Sequence, residues 1–448
     1  MRFRAPQSPR LSGGRLAGLV AIALALPIAI AYACSGEALP EIGTELYHPG
    51  VYGDRPTVED LQSLGKKIFF DKSLSASGLQ SCASCHDPKS AFGPPNALSI
   101  QPGGPGMDRL GFRSTPSLTY LHAPIAFTEH FYEAEPSGAG GDDEGPTGGR
   151  TWDGRVNTGH DQALMPLLDP NEMGNADHRA LLDKLMKTAY AGEFKALLSA
   201  PGENVFDDLR ASIAWVTVAL EAYEGAPAEF HSFTSKYDAY LKDEVDLSPT
   251  ELRGLALFND MKKGNCASCH TSSHKNPGSH LPIFTDFGFV ALAVPRNAQI
   301  PMNRNPEFFD LGLCGPLRSD LSTHPEYCGA FRTPSLRNVA RKKSFFHNGA
   351  MHSLREVVEF YATRETNPQK WYGRDAAGKP RRYDDLPERY WDNVNADAPF
   401  KPLKNGKPRL NAREIEDIVA FLGTLSDGYT KYVPPPPVAA SAAALAAR

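Results

Sequence analysis

The sequence has no basic excess with which to hold a polyanion. In 448 residues, 47 Lys and Arg stand against 52 Asp and Glu, a formal net charge of −5. That balance excludes an electrostatic binder of nucleic acid. Long apolar runs are also scarce, and the clear one lies at the very start. Leu16 to Ala33 follows Arg2, Arg4, Arg10 and Arg15 and closes on Ala31-Tyr32-Ala33. This is the charged, apolar, small-residue order of a secretory signal over 1–33. The run is also just long enough to span a bilayer as an anchor, but its Ala-x-Ala ending favours cleavage. Loss of residues 1–33 leaves 43 basic against 52 acidic side chains, a net charge of −9. Export to the periplasm is expected. Cys34 directly follows the junction, which puts a lipid anchor there among the alternatives, although Ala31 is a poor start to a lipoprotein signal.

Cysteine is sparse too, seven in all, and its placement is informative. "QSCASCHDP" at 80–88 returns almost unchanged as "GNCASCHTS" at 264–272. A lone CxxC suits zinc or a redox pair. Two thiols three apart, followed at once by an imidazole, suit covalent haem: the thiols add to the vinyl groups and the His is the proximal ligand. Cys82, Cys85 and His86 are assigned to one haem, and Cys266, Cys269 and His270 to a second. Cys314 and Cys328 remain, and in an oxidising compartment they are expected to pair.

The repetition extends beyond the haem motif. Ahead of Cys82, Thr57 is placed to cap a helix with Asp60 in its first turn. Ahead of Cys266, Ser248 caps, Pro249 takes the first helical position and Glu251 closes a capping box. Beyond each motif stands a matching phrase, "FRSTPSL" at 112–118 and "FRTPSL" at 331–336. The pattern predicts a mainly α-helical chain made of two tandem cytochrome c-like units with long loops. The expected layout is a haem domain over 34–238, a second over 239–430 and a disordered tail over 431–448. The boundary is expected in the polar stretch around 232–246. The dense apolar content of 206–225 reads as a buried helix, and the Gly-rich acidic stretch 133–150 as a mobile loop.

Two haems alone imply only electron transfer, so a non-enzymatic electron carrier is the plain alternative. The stretch "TWDGRVNTGHDQALMPLLDPNEMG" at 151–174 goes further. Trp152-Asp153-Gly154-Arg155, then Gln162, then Glu172-Met173 resemble the bacterial di-haem cytochrome c peroxidases and their MauG relatives. The likeness runs from about residue 56 to 425. It implies Trp152 between the haems as the charge relay, with Glu172 and Gln162 on the open face of the first haem. A carboxyl raised by burial could move a proton from the inner to the outer oxygen of hydrogen peroxide. Gln162 can orient the peroxide but carries no proton to it. On residue type alone, Glu172 reads as a solvated turn acid and Trp152 as a packing residue.

Three departures from the family pattern matter. A second His ligand on the first haem would fall at Gly106, where no His stands, and the adjacent Met107 lies in a flexible Gly-rich setting. An open first haem is therefore expected. The resemblance puts the sixth ligand of the second haem at Tyr361, where electron-accepting peroxidases carry Met and the MauG enzymes Tyr. Spacing alone would make Tyr361 a core residue, with Met351 and Met302 as the fallback ligands. Here Ser353 starts a helix whose capping box Glu356 would close. Third, the family's calcium site, a side-chain amide and backbone carbonyls, maps to Ser114, Lys342 and Ser344. A hydroxyl is a poorer ligand and Lys342 adds like charge, which argues against the ion.

The expected activity is peroxide reduction at the first haem, with the second relaying electrons or storing an oxidising equivalent. The partners would be a small redox protein (a cytochrome c or a cupredoxin) or, in MauG-like chemistry, a protein substrate oxidised by peroxide.

Overall fold

Helix starts follow the caps written into the sequence. In the computed structural model, which describes residues 56–121, 125–134, 140–272 and 281–430, helix α1 spans Val58–Phe70 behind a reciprocal Thr57–Asp60 box. Each of its two hydrogen bonds is 3.1 Å. Two further long helices of the first half are α2, Gly159–Leu168, and α3, Leu209–Glu224. In the second half α4 spans Pro249–Asn259, with the Ser248–Glu251 box complete. It is followed by α5, Leu354–Thr363, and α6, Ala412–Gly423. The leader, Cys34 and the tail lie outside the described residues.

Helices pack within their own half: α3 against α1 and α2, α6 against α4 and α5. The two central crossings are built alike. A Cβ on Gly65 of α1 would lie 1.8 Å from the Ala219 carbonyl oxygen and 2.9 Å from Tyr223 Cβ. A Cβ on Gly254 of α4 would lie 1.9 Å from the Asp417 oxygen and 2.8 Å from Phe421 Cβ. Only glycine permits this approach of helix axes, and it occurs at equivalent places in the two copies. Aromatic rings fill in around each crossing: Phe69, Tyr223 and Phe230 in the first half, Phe258, Phe284 and Phe421 in the second.

The remaining chain is mostly loop, with three small antiparallel ribbons among the described residues. One pairs Phe289–Ala291 with Ala330–Arg332 and so anchors the second Arg-Thr-Pro phrase. Cys314 and Cys328 form the expected disulfide, with Cα atoms 4.9 Å apart.

Three local expectations change. Residues 135–139 of the acidic stretch 133–150 lie outside the described residues, and the rest is fixed: Tyr132–Ala134 pairs with Gly140–Asp143, and Thr147 exchanges both backbone hydrogen bonds with Thr128. The stretch 232–246 is more than a polar connector. It holds a helix, Lys236–Leu241, capped by Ser235, and Tyr237 is buried in the core of the second half. Beneath it, Asp238 pairs with the buried Arg337 at 2.8 Å. Ser353 does cap α5, but Glu356 accepts from the His352 N–H rather than from Ser353, so the box does not close.

Candidate functional site: two cavities sharing a tryptophan

Each CxxCH motif borders its own cavity. The first cavity is lined by Cys82, Cys85 and His86, and the second by Cys266, Cys269 and His270. With their solvent mouths they enclose about 1670 and 1590 Å³ of free space. The four cysteines are unpaired thiols.

The two histidines are held by the same device. His86 Nδ1 lies 2.9 Å from the Phe92 carbonyl oxygen, and His270 Nδ1 lies 3.0 Å from that of Phe284. Both carbonyls belong to residues turned into the left-handed region, at φ 51° and 56°. Nδ1–H therefore donates to the backbone and Nε2 keeps its lone pair, the tautomer iron requires. Burial pushes both imidazoliums down to about 4, so the rings are neutral at physiological pH. Pro116 and Pro334, from the two Arg-Thr-Pro phrases, set their backbone beside His86 and His270 respectively.

Trp152 and Arg332 line both cavities. The Trp152 indole N–H donates to the Ser114 carbonyl at 2.8 Å. Arg332 grips the same loop from the other half, its backbone N–H on Trp152 O at 2.9 Å and its Nε on Thr151 O at 3.0 Å. Next to the tryptophan, Asp153 is fully buried. It accepts from Arg113 at 2.6 Å and from Arg155 at 2.9 Å, and Arg113 reaches across to Asp310 at 2.7 Å. Burial alone would raise Asp153, but the guanidinium charges of Arg113 and Arg155 hold it down at about 2. The repeated phrases thus have one purpose at this point: an Arg from each copy clamps the Trp152 loop.

Glu172 and Gln162 both line the first cavity, with Met165 and Met173 nearby. Gln162 stands on α2. Glu172 lies on the turn after α2, whose backbone is tied down by Gly104 N–H donating to Glu172 O at 2.7 Å and by the Gln80 amide on the same oxygen. By surface area the Glu172 side chain is exposed, but what it is exposed to is the cavity. The protein packed around it pushes the carboxyl up to about 7, with the Asp169 charge adding and Arg155 opposing. Among the described residues, neither Met107 nor any His besides His86 lines this cavity.

In the second cavity Leu354, Val357, Val358 and Tyr361 of α5 form one wall, as helical spacing requires. No methionine lines it. Met351 is buried elsewhere and Met302 is 39% exposed. Tyr361 stacks on Phe400 at 5.0 Å between ring centroids, and burial holds its phenol well above the ordinary value.

Among the cavity residues that lay outside the sequence reading are Arg150, Arg332, His347 and Glu224. His347 is stacked flat on Phe331 at 3.6 Å. Arg150 Nε and Arg332 Nη1 are buried without a partner among the described residues. Burial and the Arg150 charge push Arg332 down to about 10. Buried cations with spare N–H groups bordering these cavities call for carboxylates, and haem brings two propionates. The donor set fits haem at both sites.

Calcium does not fit. The Ser114 and Ser344 hydroxyls are buried and bond to each other at 3.1 Å. Lys342 Nζ lies 5.9 Å from the centre of the Trp152 ring. Among the described residues no cluster of three acidic, His or Cys side chains is set to hold a metal ion. A buried lysine side chain beside Trp152 adds like charge to any divalent cation bound nearby.

Comparison with known proteins agrees with this geometry. Residues 59–246 match the model of the di-haem cytochrome c peroxidase family. The chain is similar to the methylamine utilization protein MauG of Paracoccus denitrificans, 32% identical over 383 residues, covering 83% of this chain and 90% of that protein. It is similar to the cytochrome c551 peroxidase of Pseudomonas aeruginosa, 27% identical, with 79% and 86% covered. The crystal structure of the diheme peroxidase BthA from Burkholderia thailandensis superposes with a TM-score of 0.71 at 38% identity, covering 85% of this chain and 89% of that one. With two CxxCH cavities, a shared tryptophan and this likeness over most of its length, the chain belongs to the di-haem cytochrome c peroxidase family and carries two c-type haems.

Proposed function

We propose that this is a periplasmic di-haem peroxidase whose reaction with hydrogen peroxide takes place in the first cavity. The observation that carries the reading is the convergence of Glu172 and Gln162 with His86 on one cavity. When bound, the haems supply the iron that takes up peroxide and the redox equivalents that reduce it. Glu172, poised near neutrality, takes the proton from the inner peroxide oxygen and delivers it to the outer one, which leaves as water. The Gln162 amide orients the peroxide by hydrogen bonding. Trp152, clamped from both halves and bordering both cavities, relays charge between them. Tyr361 is the cavity-lining candidate for the sixth ligand of the second haem. The layout supports two haem domains, 34–238 and 239–430.

The electron source is a small redox protein in this reading. A second reading, peroxide-driven oxidation of a partner protein as in MauG, is favoured by Tyr361 standing in the second cavity where no methionine does. Stopped-flow spectroscopy of the diferric holoprotein with peroxide distinguishes them. Rapid turnover with reduced cytochrome c or cupredoxin is expected of the peroxidase. A long-lived product holding both oxidising equivalents, discharged by a protein substrate, would select the second reading. No reaction with peroxide would refute both.

A further inference from the structure

The two glycine crossings set the halves in register, and the register exposes one difference. Ala219 and Tyr223 meet Gly65 as Asp417 and Phe421 meet Gly254, so α3 and α6 correspond position by position. Leu220 and Glu224 of α3 then match Ile418 and Leu422 of α6. All four line their own cavities, as do Phe69 and its counterpart Phe258. The matched positions are apolar in both copies except one. Where the second cavity has Leu422, the first has the carboxyl of Glu224.

A carboxyl group in an apolar wall costs stability unless it is hydrogen-bonded or paired. Burial pushes Glu224 up to about 7, with Arg150 opposing and Glu221 adding. It is near the Cys82 sulfur, which is a neutral thioether once haem is attached. Three residues back on α3, Glu221 is partly exposed. It accepts from Gly159 N–H at 2.7 Å and pairs with His160 Nδ1 at 2.6 Å, its side chain 36% exposed. Arg150 borders the cavity and its charge acts on both carboxyls. Groups able to exchange protons therefore stand close together on α3, with Glu221, bonded to His160, partly exposed and Glu224 three residues on in the cavity wall, and the second cavity has no equivalent acid at that position.

The chemistry needs such a supply. Reducing one hydrogen peroxide to two waters takes up two electrons, from the redox partner, and two protons. The Glu172 transfer only moves a proton from one peroxide oxygen to the other, so it brings none in. We propose that Glu224 is a second proton-handling residue of the first cavity, the inner end of a path that admits solvent protons through His160 and Glu221. Glu224 gives up its O–H proton to the reduced oxygen product in the cavity and regains one from the Glu221–His160 pair. This rests on peroxide reduction occurring in the first cavity.

The test uses the holoprotein and two kinds of readout. First, the potential of the first haem is titrated by spectroelectrochemistry on both sides of neutrality in wild type, Glu172→Gln, Glu224→Gln and the double variant. A carboxyl that exchanges a proton beside the haem makes the potential pH-dependent. Glu172→Gln should retain part of that dependence, and the further change to Gln at 224 should reduce it to the share of the haem propionates. Second, steady-state peroxide turnover in Glu224→Gln should fall about 10²-fold, the low end for general acids, with a larger solvent isotope effect, while peroxide binds as before. Glu224→Leu, which installs the residue of the second copy, should show the same loss, and Glu224→Asp should recover much of it. Parental turnover together with an unchanged pH slope in Glu224→Gln would overturn the proposal. Should the wild type fail to turn over peroxide, the functional reading falls, yet the pH dependence still decides whether Glu224 exchanges a proton in this cavity.

Discussion

At the scale of single residues the protein's chemistry depends on how each side chain is desolvated. Glu172 is held near 7 by burial, so it is largely protonated in mild acid and ionised above neutrality. Only the ionised form can take a proton from incoming peroxide. Cleavage of the peroxide bond should therefore speed up as pH rises through about 7 and then level off. Glu172→Gln should remove that rise and slow the step by roughly 10²–10⁴-fold, as read by stopped-flow mixing at several pH values. A parental rate in the variant would make Glu172 a bystander. Tyr361 poses the complementary question. A phenolate lowers an iron potential and a thioether raises it, within the roughly 0.8 V that axial ligands command. Tyr361→Met should raise the potential of the second haem, and Tyr361→Phe should convert its low-spin spectrum to one with an open sixth position. If both potential and spectrum survive Tyr361→Phe, Tyr361 is a packing residue against Phe400.

At the scale of elements, the caps and the repeat were legible because they are local. Thr57, Ser248 and the CxxCH motifs announce themselves within a few residues, and the cavity wall of α5 follows from helical periodicity. The misread places depended on distant partners. The stretch 133–150 looks mobile by composition, yet Thr147 is fixed by Thr128 and Gly148 N–H by the Phe287 carbonyl. The duplicated Arg-Thr-Pro phrase was visible as a repeat, but its grip on Trp152 needs residues about 40 and 180 positions apart. Glu224 could have been found by aligning "ALEAYEG" with "DIVAFLG" and asking why one apolar position turned acidic. The repeated crossing also makes a stability prediction. Gly65→Ala and Gly254→Ala each force a methyl to within 2 Å of a carbonyl oxygen. Each should cost at least the ~1–3 kcal/mol typical of overpacking, measured as a lower urea midpoint of the holoprotein.

At the scale of the whole molecule, the two halves are joined by charge as much as by packing, and the joint is the Trp152 loop. Arg113 bridges Asp153 and Asp310 across nearly two hundred residues, and Arg318 Nη1 adds a bond to Asp153 O at 2.9 Å. Lys342 supplies a positive charge beside Trp152, which argues against a divalent cation in this joint. Added calcium or a chelator should therefore leave the holoprotein's melting temperature and spectra unchanged, and elemental analysis should find iron without stoichiometric calcium. The joint itself should be sensitive to loss of one partner. Asp153 lies at about 2, below its unfolded value near 3.9. Its stabilising share is present above that value and disappears as pH falls towards 2. Removing Arg113 instead leaves Asp153 only Arg155 and strands the buried carboxylate of Asp310 at neutral pH, which costs about 3–5 kcal/mol in comparable pairs. Arg113→Met should lower the urea midpoint accordingly and also slow electron exchange between the haems, because Ser114, the anchor of the indole, is the next residue. Asp153→Asn leaves Arg113 its bonds to Asp310 and should be milder on both counts. Equal stability and equal exchange rates in the Arg113 variant would show that the loop is held by packing alone.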